Sequence, residues 1–173
     1  MKTLHISALS EGGVVLRGFH MNSKDFKKFC NCYFMSKGFM KVKNTYYCNG
    51  SAGVLCSIDL QKSNYGAIYY INYCFFLGTF TDAADFPSTY EFDIIGRIAV
   101  MSKTQHKDGK VFLTAQIEYE EYSQEELTPL FDKEFENKIL PPIRLGKSYL
   151  VDNLNKLYFL TLRKEEVLNK LME

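Results

Sequence analysis

Asp59, Gln61, Tyr70, Asn72 and Arg97 are the residues whose types and spacing point most directly to chemistry. A carboxylate, two carboxamides, a phenol and a guanidinium together supply donors, acceptors and both signs of charge. Such a set can hold a small polar ligand. Alternatively, the carboxylate can orient the guanidinium toward an anion, because its planar fork meets carboxylate or phosphate through two parallel hydrogen bonds. Lys62 and Ser63 are expected at the rim of this group. The competing structural reading is that these residues form the solvated face of an antiparallel sheet.

Other constellations are weaker. Glu118, Glu120, Glu121, Glu125 and Glu126 make an acidic run that could ligate a divalent cation or serve as acid and base, but such runs usually favour a helix start or a solvated surface. In Cys30-Asn31-Cys32 the two thiols sit at i and i+2, which diverge on a helix, so core cysteine is the preferred reading over a metal or redox pair. His106, the only histidine beyond residue 20, falls in a turn signal, so Ser-His-Asp or Cys-His catalysis would have to use a loop tip, and the supply excludes a His-rich metal site. The scattered glycines form neither a dinucleotide fingerprint nor a P-loop. No catalytic residue, metal site or cofactor is therefore assigned.

The elements that must position the group can be read from periodicity. Phe26, Phe29, Cys30, Tyr33 and Phe34 form one helical stripe, with Ser23 as the expected cap, Lys37 at the negative end of the dipole and Gly38 as terminator. Phe39–Lys43 and Thr45–Cys48 make a hairpin about Asn44. Val54 to Gln61 alternates, with Val54, Cys56, Ile58 and Leu60 on one side and Ser57, Asp59 and Gln61 on the other. After the loop Asn64-Tyr65-Gly66-Ala67, pairing Ser63 with Ile68 sets Leu60 against Ile71, Ile58 against Tyr73 and Cys56 against Phe75. The opposite face then aligns Gln61 with Tyr70, Asp59 with Asn72 and Ser57 with Cys74, whereas a one-residue slip would set Ile58 against Asn72.

Thr79 to Tyr90 has no period and reads as an exposed loop. A second hairpin is expected from Asp93–Met101 and Lys110–Tyr119 across a turn containing Asp108-Gly109, with Arg97 on the side of Asp93, Ile95 and Ala99. Ser123 and Glu126 have capping-box spacing, but Pro129 argues for a short turn there and a helix starting at Thr128, stopped by Pro141-Pro142. Short helices are expected near Ser148–Asn155 and Lys164–Met172. Fold class is thus α+β, a largely antiparallel sheet of about five to six strands with helices from both ends of the chain on one face.

The chain has 173 residues with 21 Lys+Arg against 20 Asp+Glu, one domain's worth of protein with no basic surplus for sequence-independent nucleic-acid binding. No apolar run approaches the length of about 18 residues that spans a bilayer. An odd number of cysteines, five, inside apolar segments fits reduced thiols and a cytoplasmic location. Seven aromatics (Tyr65, Tyr69, Tyr70, Tyr73, Phe75, Phe76, Phe80) crowd residues 65–80, so alternation sends rings to both faces of one strand. Gly12 to Met21 resembles an expression-vector linker, Gly-Leu-Val-Pro-Arg-Gly-Ser-His-Met. A native hairpin over residues 1–20 is the equal alternative, and residues 21–173 form the single domain.

The wording Ile58-Asp59-Leu60-Gln61-Lys62-Ser63 followed by Tyr69-Tyr70-Ile71-Asn72 resembles the signature of an uncharacterised bacterial family, the domain of unknown function numbered 4304. Lys37-Gly38-Phe39 and the strand Ile94-Ile95-Gly96-Arg97-Ile98 fit the same likeness, over roughly residues 22–160. The resemblance implies a cytosolic bacterial α+β domain and no established activity.

A non-enzymatic binding or interaction protein is the favoured functional reading, using Asp59, Gln61, Lys62, Tyr70, Asn72 and Arg97 to meet a protein partner or a small polar ligand. The alternative is a small hydrolytic or phosphate-handling enzyme with Asp59 or Glu118 as base and Arg97 as stabiliser. Asp59 and Arg97 converging in a concave pocket would favour the enzyme, and a flat or convex face the interaction protein. A homodimer through a sheet edge is a third reading.

Overall fold

The computed structural model describes residues 21–50, 53–88, 90–103, 111–153, 161–162 and 164–172. The readings made of residues 1–20, of His106 and of the Asp108-Gly109 turn lie outside them.

Helix α1 (Ser23–Ser36) buries the expected stripe of Phe26, Phe29, Cys30, Tyr33 and Phe34. Its cap is Asn22, one residue before the expected Ser23, because the carboxamide oxygen reaches both Lys24 N and Asp25 N. Gly38 ends the helix at φ 90°. Lys37 leaves the helix end to pair with Asp132 at 2.6 Å.

Strands β1 (Met40–Val42), β2 (Thr45–Asn49), β3 (Val54–Lys62), β4 (Ile68–Leu77) and β5 (Ile94–Arg97) lie side by side, every pair antiparallel. The β3–β4 register is the expected one throughout: Asp59 faces Asn72, Gln61 faces Tyr70 and Ile58 faces Tyr73. Ser63 N–H donates to Ile68 C=O at 2.9 Å, which closes the four-residue loop.

The second hairpin departs from expectation. Its first strand breaks after Arg97, and Val100–Met101 (β6) pairs separately with Leu113–Thr114 (β7). The break has a specific cause. Ala99 N–H donates to Glu134 Oε2 at 3.1 Å instead of to a strand. The return strand is divided likewise, because Thr114 Oγ1 accepts from Gln116 N, so Ile117–Glu118 (β8) pairs instead with the start of β4. Thr161–Leu162 (β9) adds to the outer edge of β5.

Helix α2 (Gln124–Glu134) starts at the capping box, with Ser123 and Glu126 satisfying each other's backbone donors, and runs through Pro129. The expected start at Thr128 is therefore wrong. The reciprocal cap bonds fix the start at Ser123, and the helix accommodates Pro129 in its interior. Nor do Pro141-Pro142 stop the helix. The backbone widens into a π segment over Phe135–Ile139, and helix α3 (Leu140–Leu145) then carries both prolines in its first turn, where a missing N–H costs little. Gly146 at φ 77° ends it. Helices α4 (Lys147–Asn153) and α5 (Lys164–Met172) follow.

The inner sheet face (Cys56, Ile58, Ile71, Tyr73, Phe75, Ile94) packs against α1, α2, the π segment, α3, α4 and α5 in one core. Stacked and edge-on rings dominate it, including Phe26–Tyr69 at 5.0 Å and Tyr33–Phe135 at 5.1 Å. A smaller core occupies the outer face, where Tyr47, Leu55, Cys74 and Phe76 meet Phe80, Phe86 and Phe92. The segment after β4 is exposed over most of its length, as its lack of period predicts, but through these phenylalanines it also serves as a cover strap. Tyr47 Oη donates to Pro87 C=O at 3.0 Å and Asn49 Nδ2 to Phe80 C=O at 2.6 Å, which tie it down. Among the described residues, no helix is long and apolar enough to cross a membrane.

Gly96 sits opposite Tyr73, whose ring covers it so closely that an added Cβ would overlap the ring carbons. Gly96→Ala is expected to lower stability by about 1–3 kcal/mol, read from the urea midpoint at constant m-value. Adding Tyr73→Leu should remove most of that penalty, so strictly additive losses would contradict this packing.

Candidate functional site

Antiparallel register builds the site from one row of residues across the outer face. Asp59 on β3, Asn72 on β4 and Arg97 on β5 are direct partners. Thr45 on β2, one step before the Tyr46–Ile58 pair, extends the row. The next row along the strands is Tyr47, Ser57, Cys74 and Ile95, which the strap begins to cover. Where the cover stops, the polar row opens.

Asn72, only 7% exposed, organises the row. Its Nδ2 donates to Asp59 Oδ1 at 3.0 Å and to Gln61 Oε1 at 3.3 Å, while its Oδ1 accepts from Arg97 Nε at 2.8 Å. The guanidinium carbon also lies 4.8 Å from the centre of the Tyr70 ring, a cation–π contact. Arg97 is therefore held from its side and its face, with the Nη edge left over. Asp59, Gln61, Asn72 and Arg97 line a cleft of about 530 Å³ walled by Asn44 and Thr45 on one side and by Tyr90 and Phe92 on the other.

Burial pushes the Asp59 carboxyl above its ordinary range, against the Asn72 hydrogen bond and the Arg97 charge, which both pull it down. Cys74 also lines the cleft, and burial first and the Asp59 charge second hold its thiol up to about 12. It is a neutral thiol at physiological pH and a poor nucleophile.

Five of the expected residues meet here: Asp59, Gln61, Asn72 and Arg97 line the cleft, and Tyr70 supports Arg97. Lys62 does not join them. It pairs with Tyr69 and shares the parity of Leu60, so alternation directs it to the other face. Glu118 faces Ile68, four residues along β4 from Asn72 and so roughly 13 Å away. Glu126, eight residues further on, is occupied as helix cap and as partner of Lys103 at 2.6 Å. Cys30 is buried and Cys32 exposed, diverging as i and i+2 require. Among the described residues no three His, Cys, Asp or Glu side chains converge as metal ligands. Thr45 could have been found by extending the alternation of β2, whereas Tyr90 and Phe92 arrive from an aperiodic strap and carry no local signal.

The shifted carboxyl has a thermodynamic consequence. Its folded pKa is raised, so the native state binds the proton more readily than the unfolded chain, and this group's penalty grows as pH rises through the unfolded and then the folded pKa. Asp59→Asn, which keeps the acceptor for Asn72, should raise the melting temperature at pH 7, and the gain should vanish below the carboxylate range. A gain that persists or increases in acid would contradict this.

The comparisons with known proteins bear on the family alone. No curated protein and no solved structure shows significant similarity to the chain. A family model described as a domain of unknown function (DUF4304) matches residues 31–142, which is well over half of the 173 residues. The match is narrower than the expected span of 22–160, beginning inside α1 and ending in α3, and it contains the whole Asp59–Asn72–Arg97 row. The chain belongs to this family of domains of unknown function, DUF4304.

Proposed function

We propose that the protein is a non-enzymatic binding module whose polar, tyrosine-bordered outer face takes up an anionic group in the cleft at Arg97. One observation carries this reading: the guanidinium is oriented in advance by Asn72 and Tyr70, so its fork needs little ordering when an anion arrives. Side chains that perform no chemistry do the positioning. The one thiol in the cleft is held neutral, and Asp59 has Asn72 and not a nucleophile as its hydrogen-bond partner. The five free cysteines suit a reducing compartment, so the proposal places the module in the cytoplasm.

A second reading, a small hydrolytic or phosphate-handling enzyme, is favoured by one feature: Asp59 and Arg97 do converge in a concave cleft, and the carboxyl is shifted toward a base's working range. Glu118 plays no part in it, standing too far along the sheet.

Calorimetric titration with acetate and with inorganic phosphate separates the outcomes. Binding should be saturable in the unaltered protein and fall by at least about tenfold in Arg97→Gln, a loss of roughly 1.4 kcal/mol. Equal binding by both proteins, or no binding, would sink the module. Hydrolysis of p-nitrophenyl acetate or p-nitrophenyl phosphate that Asp59→Asn abolishes would establish the enzyme instead.

A further inference from the structure

We infer that the ligand of this cleft is dipolar, a small zwitterion of the amino-acid class whose ammonium meets Asp59 and whose carboxylate meets Arg97; this rests on the binding reading above. Two opposite charges fail to pair in this cleft. Asp59 and Arg97 lie on strands either side of β4, their backbones about 10 Å apart. The Asn72 amide fills the gap, donating to one and accepting from the other. It works as a spacer. Asp59 keeps Oδ2 and Arg97 keeps both Nη groups without a hydrogen bond or ion pair among the described residues.

Both unused groups line the same cleft, which constrains what can enter. A simple anion would satisfy Arg97 but bring its charge near a half-buried carboxylate. A simple cation would satisfy Asp59 and meet the guanidinium. Among charged ligands, a molecule bearing both charges, a few bonds apart, is the one that satisfies both ends and completes a chain that runs from Asp59 through the ligand to Arg97. A cationic partner would favour the ionised carboxylate, which burial disfavours. Tyr90 and Phe92 form the apolar wall against which the ligand's carbon skeleton can lie.

Three probes of nearly equal size isolate the charges: β-alanine carries both, propionate only the negative and n-propylammonium only the positive. Backbone amide shifts at residues 59, 72 and 97 report their binding to the full chain. β-Alanine should bind at least about tenfold more tightly than either singly charged probe. Asp59→Asn should bring β-alanine down to the propionate level without weakening propionate, and Arg97→Gln should weaken both. If propionate binds the unaltered protein as tightly as β-alanine, or if Asp59→Asn leaves β-alanine binding unchanged, the dipolar ligand is overturned while the binding module stands. If none of the probes shifts these amides, the module and this inference fall together.

Discussion

The rest of the structure depends on the need to cover β4 on both faces. This strand carries Tyr69, Ile71, Tyr73 and Phe75 on one side and Cys74 and Phe76 on the other, and from Ile71 to Leu77 every residue is buried. An antiparallel sheet usually solvates one face, and here that option exists over only part of the strand. Helices from both ends of the chain close the inner face. The strap from Phe80 to Phe92 closes the outer one as far as the Cys74 row and no further. The site is the boundary of that cover. It inherits a floor from the sheet, one wall from the strap and the other from the β1–β2 turn.

At that boundary a buried carboxamide does what an ion pair between neighbours would otherwise do. Leaving a buried amide unpaired costs about 1–3 kcal/mol, and Asn72 avoids this by spending its acceptor on Arg97 and its donors on Asp59 and Gln61. The arrangement fixes both charged side chains while preventing them from neutralising each other. A direct salt bridge on this half-exposed face would add little stability and leave neither charge available to the cleft. The amide link therefore trades a weak structural contact for two oriented, opposite charges.

How much of this was legible in the sequence depends on the range of the information. The β3–β4 register could be read correctly, since alternation from Val54 to Gln61 sets Ile58 against Tyr73, whereas a one-residue slip would set it against Asn72. The α1 stripe was equally plain, and with it the assignment of Asp59, Gln61, Tyr70, Asn72 and Arg97 to one face. What failed did so where a distant partner decides local conformation. Ala99 leaves its strand because Glu134, thirty-five residues on, accepts its N–H. Pro129 and Pro141-Pro142 looked like helix boundaries, yet the capping box and the π segment accommodate them. The strap is the exposed loop that its sequence suggests, but its covering role was hidden because Phe80, Phe86 and Phe92 obey no period. Their spacing follows the outer face they cover.

The central claim is that one carboxamide couples Asp59 to Arg97, and side-chain nuclear magnetic resonance tests it most directly. In a pH titration of the unliganded protein, the Asn72 Nδ2 protons and the Arg97 Nε proton should move together in a single step. That step should belong to Asp59 and lie above the usual aspartate value of about 4. Asn72 and Arg97 resonances that titrate independently, or ignore protonation of Asp59 altogether, would contradict the account.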